Sequence, residues 1–190
     1  MVIKFSSMMH KKNIMLNEED ILKFQYGIEV FLYESIKIIL ISLFFYVLDQ
    51  IEPFIFSFLI LWSIRSFSGG LHFTKMIHCF TFSIGFFMVN LFVLPNISLF
   101  NNFKTYLFLC PISLFIIYFF SPITSKYRPI TKSSHKKRAK HISLAMAIIW
   151  FTLLFIPLKN STLFITGVWT IFLQSLQLLL SGVMEDESTQ

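Results

Sequence analysis

The chain has 190 residues, 55% of them hydrophobic, including 25 phenylalanines, and its mean hydropathy is +0.71. Charged residues make up only 14% of it, too little polar surface to cover a soluble domain of this length, so a polytopic membrane protein is implied. The formal charge of +6 does not point to nucleic acid, because the basic residues flank apolar segments, where topology and anionic headgroups account for them.

At the N-terminus, Met1 to Lys12 lacks a sustained apolar core, so no cleaved signal is expected. Asn17 can cap a helix whose first turn carries Glu18, Glu19 and Asp20. Ile21, Phe24, Ile28, Phe31 and Leu32 then recur at three- and four-residue spacing, away from Lys23, Glu29 and Glu34. This predicts an amphipathic cytoplasmic arm over 1–35, lying on the membrane or against the bundle, or else serving as the lead-in to the first span.

Six apolar segments follow, at 36–48, 53–67, 79–94, 105–121, 141–158 and 162–180. They predict one transmembrane domain over 36–180, of an all-α fold, with an acidic tail at 181–190. The second segment is short for a hydrocarbon core of about 30 Å and admits a tilted or partly re-entrant path. No internal repeat or soluble domain is evident.

Lys and Arg set the orientation. The 49–52, 95–104 and 158–161 connections hold only Lys104 and Lys159. The 122–140 loop holds Lys126, Arg128, Lys132, Lys136, Lys137, Arg138 and Lys140, and further cations lie in the arm and, as Arg65 and Lys75, in the 65–78 connection. Six spans with both termini inside put all the rich loops on the cytoplasmic face of the cell membrane.

One connection gathers residues that suit chemistry: Arg65-Ser-Phe-Ser-Gly-Gly-Leu-His-Phe-Thr-Lys-Met-Ile-His-Cys79. Cys79 attacks through its thiolate, which needs a base or a positive field, and His72 is a base with a pKa in the working range. Arg65 and Lys75 add positive potential, and Gly69 and Gly70 allow backbone angles and close approaches closed to other residues. On a regular helix His72 and Cys79 share a face but stand about 10.5 Å apart along the axis, beyond hydrogen-bond reach. The 65–79 segment is therefore expected to be broken or re-entrant.

His78 is a rival base, although adjacent helix positions point about 100° apart. His72, His78 and Cys79 have no acidic or cysteine partners nearby, so neither a metal nor any other cofactor is called for. Cys110, beside Pro111 in mid-span, reads as inert core. The only carboxylates before the motif and after the first turn of the arm are Glu29, Glu34, Asp49 and Glu52, and topology puts the last two on the opposite side, which leaves a dyad without an acidic orienter.

These residues resemble the accessory gene regulator protein B (AgrB) family of bacterial membrane cysteine endopeptidases. The pattern is Arg65, Gly69, Gly70, His72 and Cys79. It is joined by Ser121-Pro-Ile-Thr-Ser-Lys-Tyr-Arg-Pro-Ile130 with its trailing basic cluster, and by Tyr26-Gly-Ile-Glu29. Leu71 departs from the aromatic or alanine common there. The likeness runs from the arm to the last apolar segment.

The resemblance implies cleavage of a quorum-sensing propeptide that has an amphipathic leader and an acidic tail. Cys79 would attack a backbone carbonyl, with His72 as base and then acid. A thiol or hydroxyl within the peptide would displace Cys79 and close a thiolactone or lactone. Lys126 and Arg128 would bind the tail's carboxylates, membrane lipid would anchor the leader, and the family implies a homodimer.

A non-enzymatic peptide transporter is the rival reading, set back by span interiors expected to lack acidic or polar residues and by the absence of a nucleotide motif. A scaffold is the third. Both leave the Gly-Gly-Leu-His…Cys cluster without a role.

Overall fold

Each of the six apolar stretches forms a helix of span length. The computed structural model describes residues 18–71, 76–97, 102–123, 133–159 and 161–187. The helices are α1 (Glu18–Val47), α2 (Ile51–Ser68), α3 (Met76–Met88), α4 (Phe103–Phe120), α5 (Ser133–Phe155) and α6 (Thr162–Glu187). Past Met88, α3 continues through a π-helical turn, Val89–Val93, and a 3-10 turn, Leu94–Asn96. No strand occurs among the described residues. The all-α, six-span architecture stands, and the 65–79 segment is not one helix: α2 stops at Ser68 and α3 begins at Met76.

Contacts divide the chain into two units, Met1–Phe44 and Phe45–Gln190. In the first, α1 runs without interruption from Glu18 through residue 35 into the first apolar segment. Phe31, Leu32, Ile36, Ile39, Leu40 and Leu43 are exposed on several faces of it, which suits a helix whose solvent is lipid. Lys37 pairs with Glu34 one turn back.

The second unit opens with the end of α1. There the Asp49 N–H donates to the Tyr46 carbonyl (3.0 Å) and the Gln50 N–H to the Phe45 carbonyl (2.9 Å), while Asp49 takes φ +55°. This is a Schellman ending, with aspartate in the left-handed position that glycine usually holds. It turns the chain into α2, where Glu52 in the first turn and Arg65 in the last both complement the helix dipole. Pro53 sits in the first turn, where an N–H has no helical partner to lose.

The last helix, α6, is the axis of this unit. Of its span, 61% is buried, against 22–28% for α2 to α5, and it packs on α2, α4, α5 and the π turn after α3. Ile60 and Ile64 of α2, Ile117 of α4, Leu154 of α5 and Val168 and Ile171 of α6 form the fully covered centre. A second cluster stacks Phe45 on Phe54 at 4.9 Å, with Phe87 edge-on to Phe54 at 4.8 Å.

The expectation of span interiors without polar residues does not hold. Asn90, in the π turn, is fully buried and donates through Nδ2 to Ser57 Oγ (3.1 Å) on α2 and Thr170 Oγ1 (2.9 Å) on α6. Gln174 and Gln177 of α6 are buried as well. All the buried polar side chains among the described residues are neutral. A polar group inside a span faces protein because lipid cannot satisfy it.

Asn90→Ala removes two inter-helix hydrogen bonds at once and is expected to cost about 1–2 kcal/mol. The check is the thermal unfolding midpoint in detergent micelles, which should fall; an unchanged midpoint would mean that the cluster adds no stability.

Candidate active site

The break after α2 is held from three directions. At its start, the Gly69 N–H closes the helix on the Arg65 carbonyl (3.0 Å). Gly69 then takes φ +78° and ψ −159°, a region essentially reserved for glycine. A Cβ there would stand 2.6 Å from the carbonyl oxygen of Ile123. That approach is fixed by the turn after α4, where the Ile123 N–H donates to the Ser68 carbonyl (3.0 Å). Ser121, which begins this turn, is itself tied to Ser143 of α5 by a hydroxyl–hydroxyl bond of 2.8 Å.

The second hold is Arg65. Its guanidinium reaches over Gly70, where an added Cβ would come within 3.3 Å of Cζ. Nη2 donates to the Leu71 carbonyl at 2.6 Å and Nη1 to Gln177 Oε1 at 2.8 Å. One planar fork thus links the loop backbone to α6, which a lysine could not do with the same geometry. The third hold is Gln174, whose Nε2 donates to the Gly69 carbonyl (3.0 Å) and to Ser68 Oγ (3.2 Å).

Arg65, Gly69 and Gly70 are therefore one structure, not three independent features of a motif. Cys79 is half-buried in the opening turns of α3, and its carbonyl accepts a hydrogen bond from Ser83 Oγ (2.8 Å). His78 beside it is exposed. Leu71 and Met76 are five residues apart, so the start of α3 lies within about 18 Å of the clamped Leu71 carbonyl. His72, Lys75, Lys126 and Arg128 lie outside the described residues.

Sequence reasoning missed Gln174, Gln177 and Ile123. The glutamines did leave a signal: two amides three residues apart in the run Thr170-Ile-Phe-Leu-Gln-Ser-Leu-Gln-Leu178, on one side of a helix that is otherwise apolar. Ile123 left none, since it contributes only its backbone.

At the same end of the second unit, α5 begins with exposed His135, Lys136, Lys137 and Arg138. Cations in the first turns oppose the helix dipole, so this cluster does not serve the helix. Asp49, Glu52, Lys104 and Lys159 belong to the other end.

Fold and site together define a multi-pass membrane protein with a glycine-broken, amide-clamped loop leading to a cysteine-bearing helix. The chain belongs to the Accessory gene regulator B family, whose sequence model matches residues 3–178. It is 34% identical over 173 residues to an AgrB-like protein of Clostridium beijerinckii, covering 90% of this chain and 82% of that one. It is 29% identical over 177 residues to AgrB-like protein 1 of Clostridium perfringens (strain 13 / Type A), covering 92% of each. No solved structure matches. Membership places the protein in the accessory gene regulator system of quorum sensing, with a role in the processing of its autoinducing peptide.

The two glycines are expected to differ. Gly69→Ala meets both the positive φ and a backbone oxygen, at a cost of about 1–3 kcal/mol. Gly70→Ala asks only that the Arg65 side chain give by a few tenths of an ångström. Circular dichroism melts of the two variants in micelles measure this; equal losses would remove the Ile123 carbonyl as the constraint.

Proposed function

We propose that the protein is a membrane cysteine endopeptidase that trims the acidic tail from a quorum-sensing propeptide and closes the remainder into a ring. The observation that carries this reading is the clamped break: backbone tied down on three sides, one residue before His72 and leading into the helix that presents Cys79. A transporter or scaffold needs no such device between two spans. The amides and hydroxyls buried in the spans are neutral, and none of them is the acidic residue that coupled transport calls for.

In the proposed reaction His72 takes the Cys79 proton and the thiolate attacks a propeptide carbonyl upstream of the tail. The C–N bond breaks, His72 returns the proton to the leaving amine, and a thioester on Cys79 remains. A thiol or hydroxyl within the bound peptide then gives its proton to His72 and attacks that thioester; the ring bond forms, the C–S bond to Cys79 breaks, and the released Cys79 thiolate takes the proton back. Exchange of one thioester for another is nearly balanced in energy, so the enzyme's part is to exclude water and hold the internal nucleophile close. A leader helix anchored in the interface beside the bundle serves both ends. Lys126 and Arg128 are proposed to receive the tail's carboxylates.

The basic residues also support an orientation with both termini and the reactive segment at the cytoplasmic face. Reporter fusions at residue 50, residue 100 and the C-terminus check it. The first two are expected to read as external and the last as cytoplasmic.

The reaction is tested by mass spectrometry of a co-expressed propeptide that has an amphipathic leader, a central cysteine or serine and an acidic tail. Wild type is expected to release the tail, while Cys79→Ala and His72→Ala, present in the membrane at wild-type level, leave the propeptide whole. Cleavage by Cys79→Ala would remove the dyad and leave transport or scaffolding as the reading.

A further inference from the structure

Gln174 and Gln177 lie one turn apart on α6, far in sequence from the segment they hold, and both are buried. An unsatisfied amide in such a place is costly, so their partners are a constraint and not a convenience. The chemistry of those partners fixes which end of each amide works. Arg65 only donates, so Gln177 must present its oxygen; the Gly69 carbonyl only accepts, so Gln174 must present its NH2. The unused oxygen of Gln174 has no hydrogen-bond partner among the described residues.

We infer that α6 is the jig of the reactive loop, with Gln174 and Gln177 as positioning residues for the chemistry assigned to His72 and Cys79. The inference rests on the peptidase reading above. Gln177 orients the Arg65 fork, the fork holds the Leu71 carbonyl, and Leu71 is joined by one peptide bond to His72. Gln174 holds the carbonyl of Gly69, the residue that turns the chain out of α2. Both act on backbone that precedes His72 in the chain, Gln174 directly and Gln177 through Arg65. A displacement of about 1 Å at a base or nucleophile can cost on the order of 10²-fold in rate.

The opposite use of the two amides gives a signature that space-filling does not. Glu at 177 keeps an acceptor for Arg65, whereas Glu at 174 turns an oxygen toward the Gly69 carbonyl. Kinetics with the same propeptide, titrated into membranes, should show Gln177→Leu losing kcat by roughly 10- to 100-fold with KM held within about threefold. Gln177→Glu should recover most of that loss. Gln174→Leu and Gln174→Glu should both be low in kcat.

A second readout does not depend on peptidase activity: the maleimide labelling rate of Leu71→Cys in a chain carrying Cys79→Ala and Cys110→Ala. It should rise several-fold on adding Gln177→Leu and return toward the parent value with Gln177→Glu. If 174 and 177 respond alike to Glu, or if labelling is unchanged, the jig is wrong. If labelling shifts as expected while kcat does not, the clamp exists but positions nothing in the reaction. If wild type fails to process the propeptide, the peptidase reading falls, and labelling still decides whether α6 holds the loop.

Discussion

Hydrocarbon offers no hydrogen bonds, and a chain that leaves the helix near it must find partners for its own backbone. At Ser68 the protein does leave the helix, and most of what surrounds that point is explained by the groups it exposes. The Ser68 carbonyl is taken by Ile123, the Gly69 carbonyl by Gln174 and the Leu71 carbonyl by Arg65. Those three partners come from the turn after α4, from α6 and from α2 itself, so closing the loop requires that these elements meet. The central place of α6 follows from this as much as from its apolar surface. It supplies the Gln174 amide to the loop, the Gln177 amide to the Arg65 fork and a hydroxyl, Thr170, to the Asn90 cluster, and packing around it keeps all of them dry.

The parts of this arrangement that obey a local rule could be read in the sequence. Six apolar runs separated by polar turns had to become six spans, and a glycine pair ahead of a histidine and cysteine spaced beyond hydrogen-bond reach had to interrupt a helix. Arg65 is legible as belonging with the glycines and as a source of positive potential, but not as a fork engaged with a carbonyl and an amide. What stayed hidden is long-range. Arg65 and Gln177 are 112 residues apart, and Gln174 and Gly69 are 105 apart. No periodicity reports such a pairing. Asn90 was overlooked because a single amide in an apolar stretch looks like tolerated noise. In lipid it must be bonded somewhere, and the π turn brings it between Ser57 and Thr170.

Charge is arranged by a different logic from that of helix stability. Glu52 and Arg65 sit where the dipole of α2 favours them, whereas Lys136, Lys137 and Arg138 crowd the end of α5 that favours anions. Lys140, one turn further along, lies over the ring of Tyr118 at 3.9 Å, and at the far end Lys159 lies over Phe103 at 4.3 Å. An ammonium held against an aromatic face near the end of a span fits the interface, where the ring stays in apolar surroundings and the charge keeps its water.

The helix lengths carry a consequence for the lipid. Both α2 and α4 have 18 residues, so each is about 27 Å long, short of a typical hydrocarbon core of about 30 Å. They are the two spans whose ends, Ser68 and Phe120, lead into the backbone that meets at the break. A span of this length is matched by local thinning of the bilayer or by flanking side chains that reach to the interface. The thickness of the host membrane, set by its acyl chains, therefore bears on the clamped break as it does on the opposite ends of these two helices.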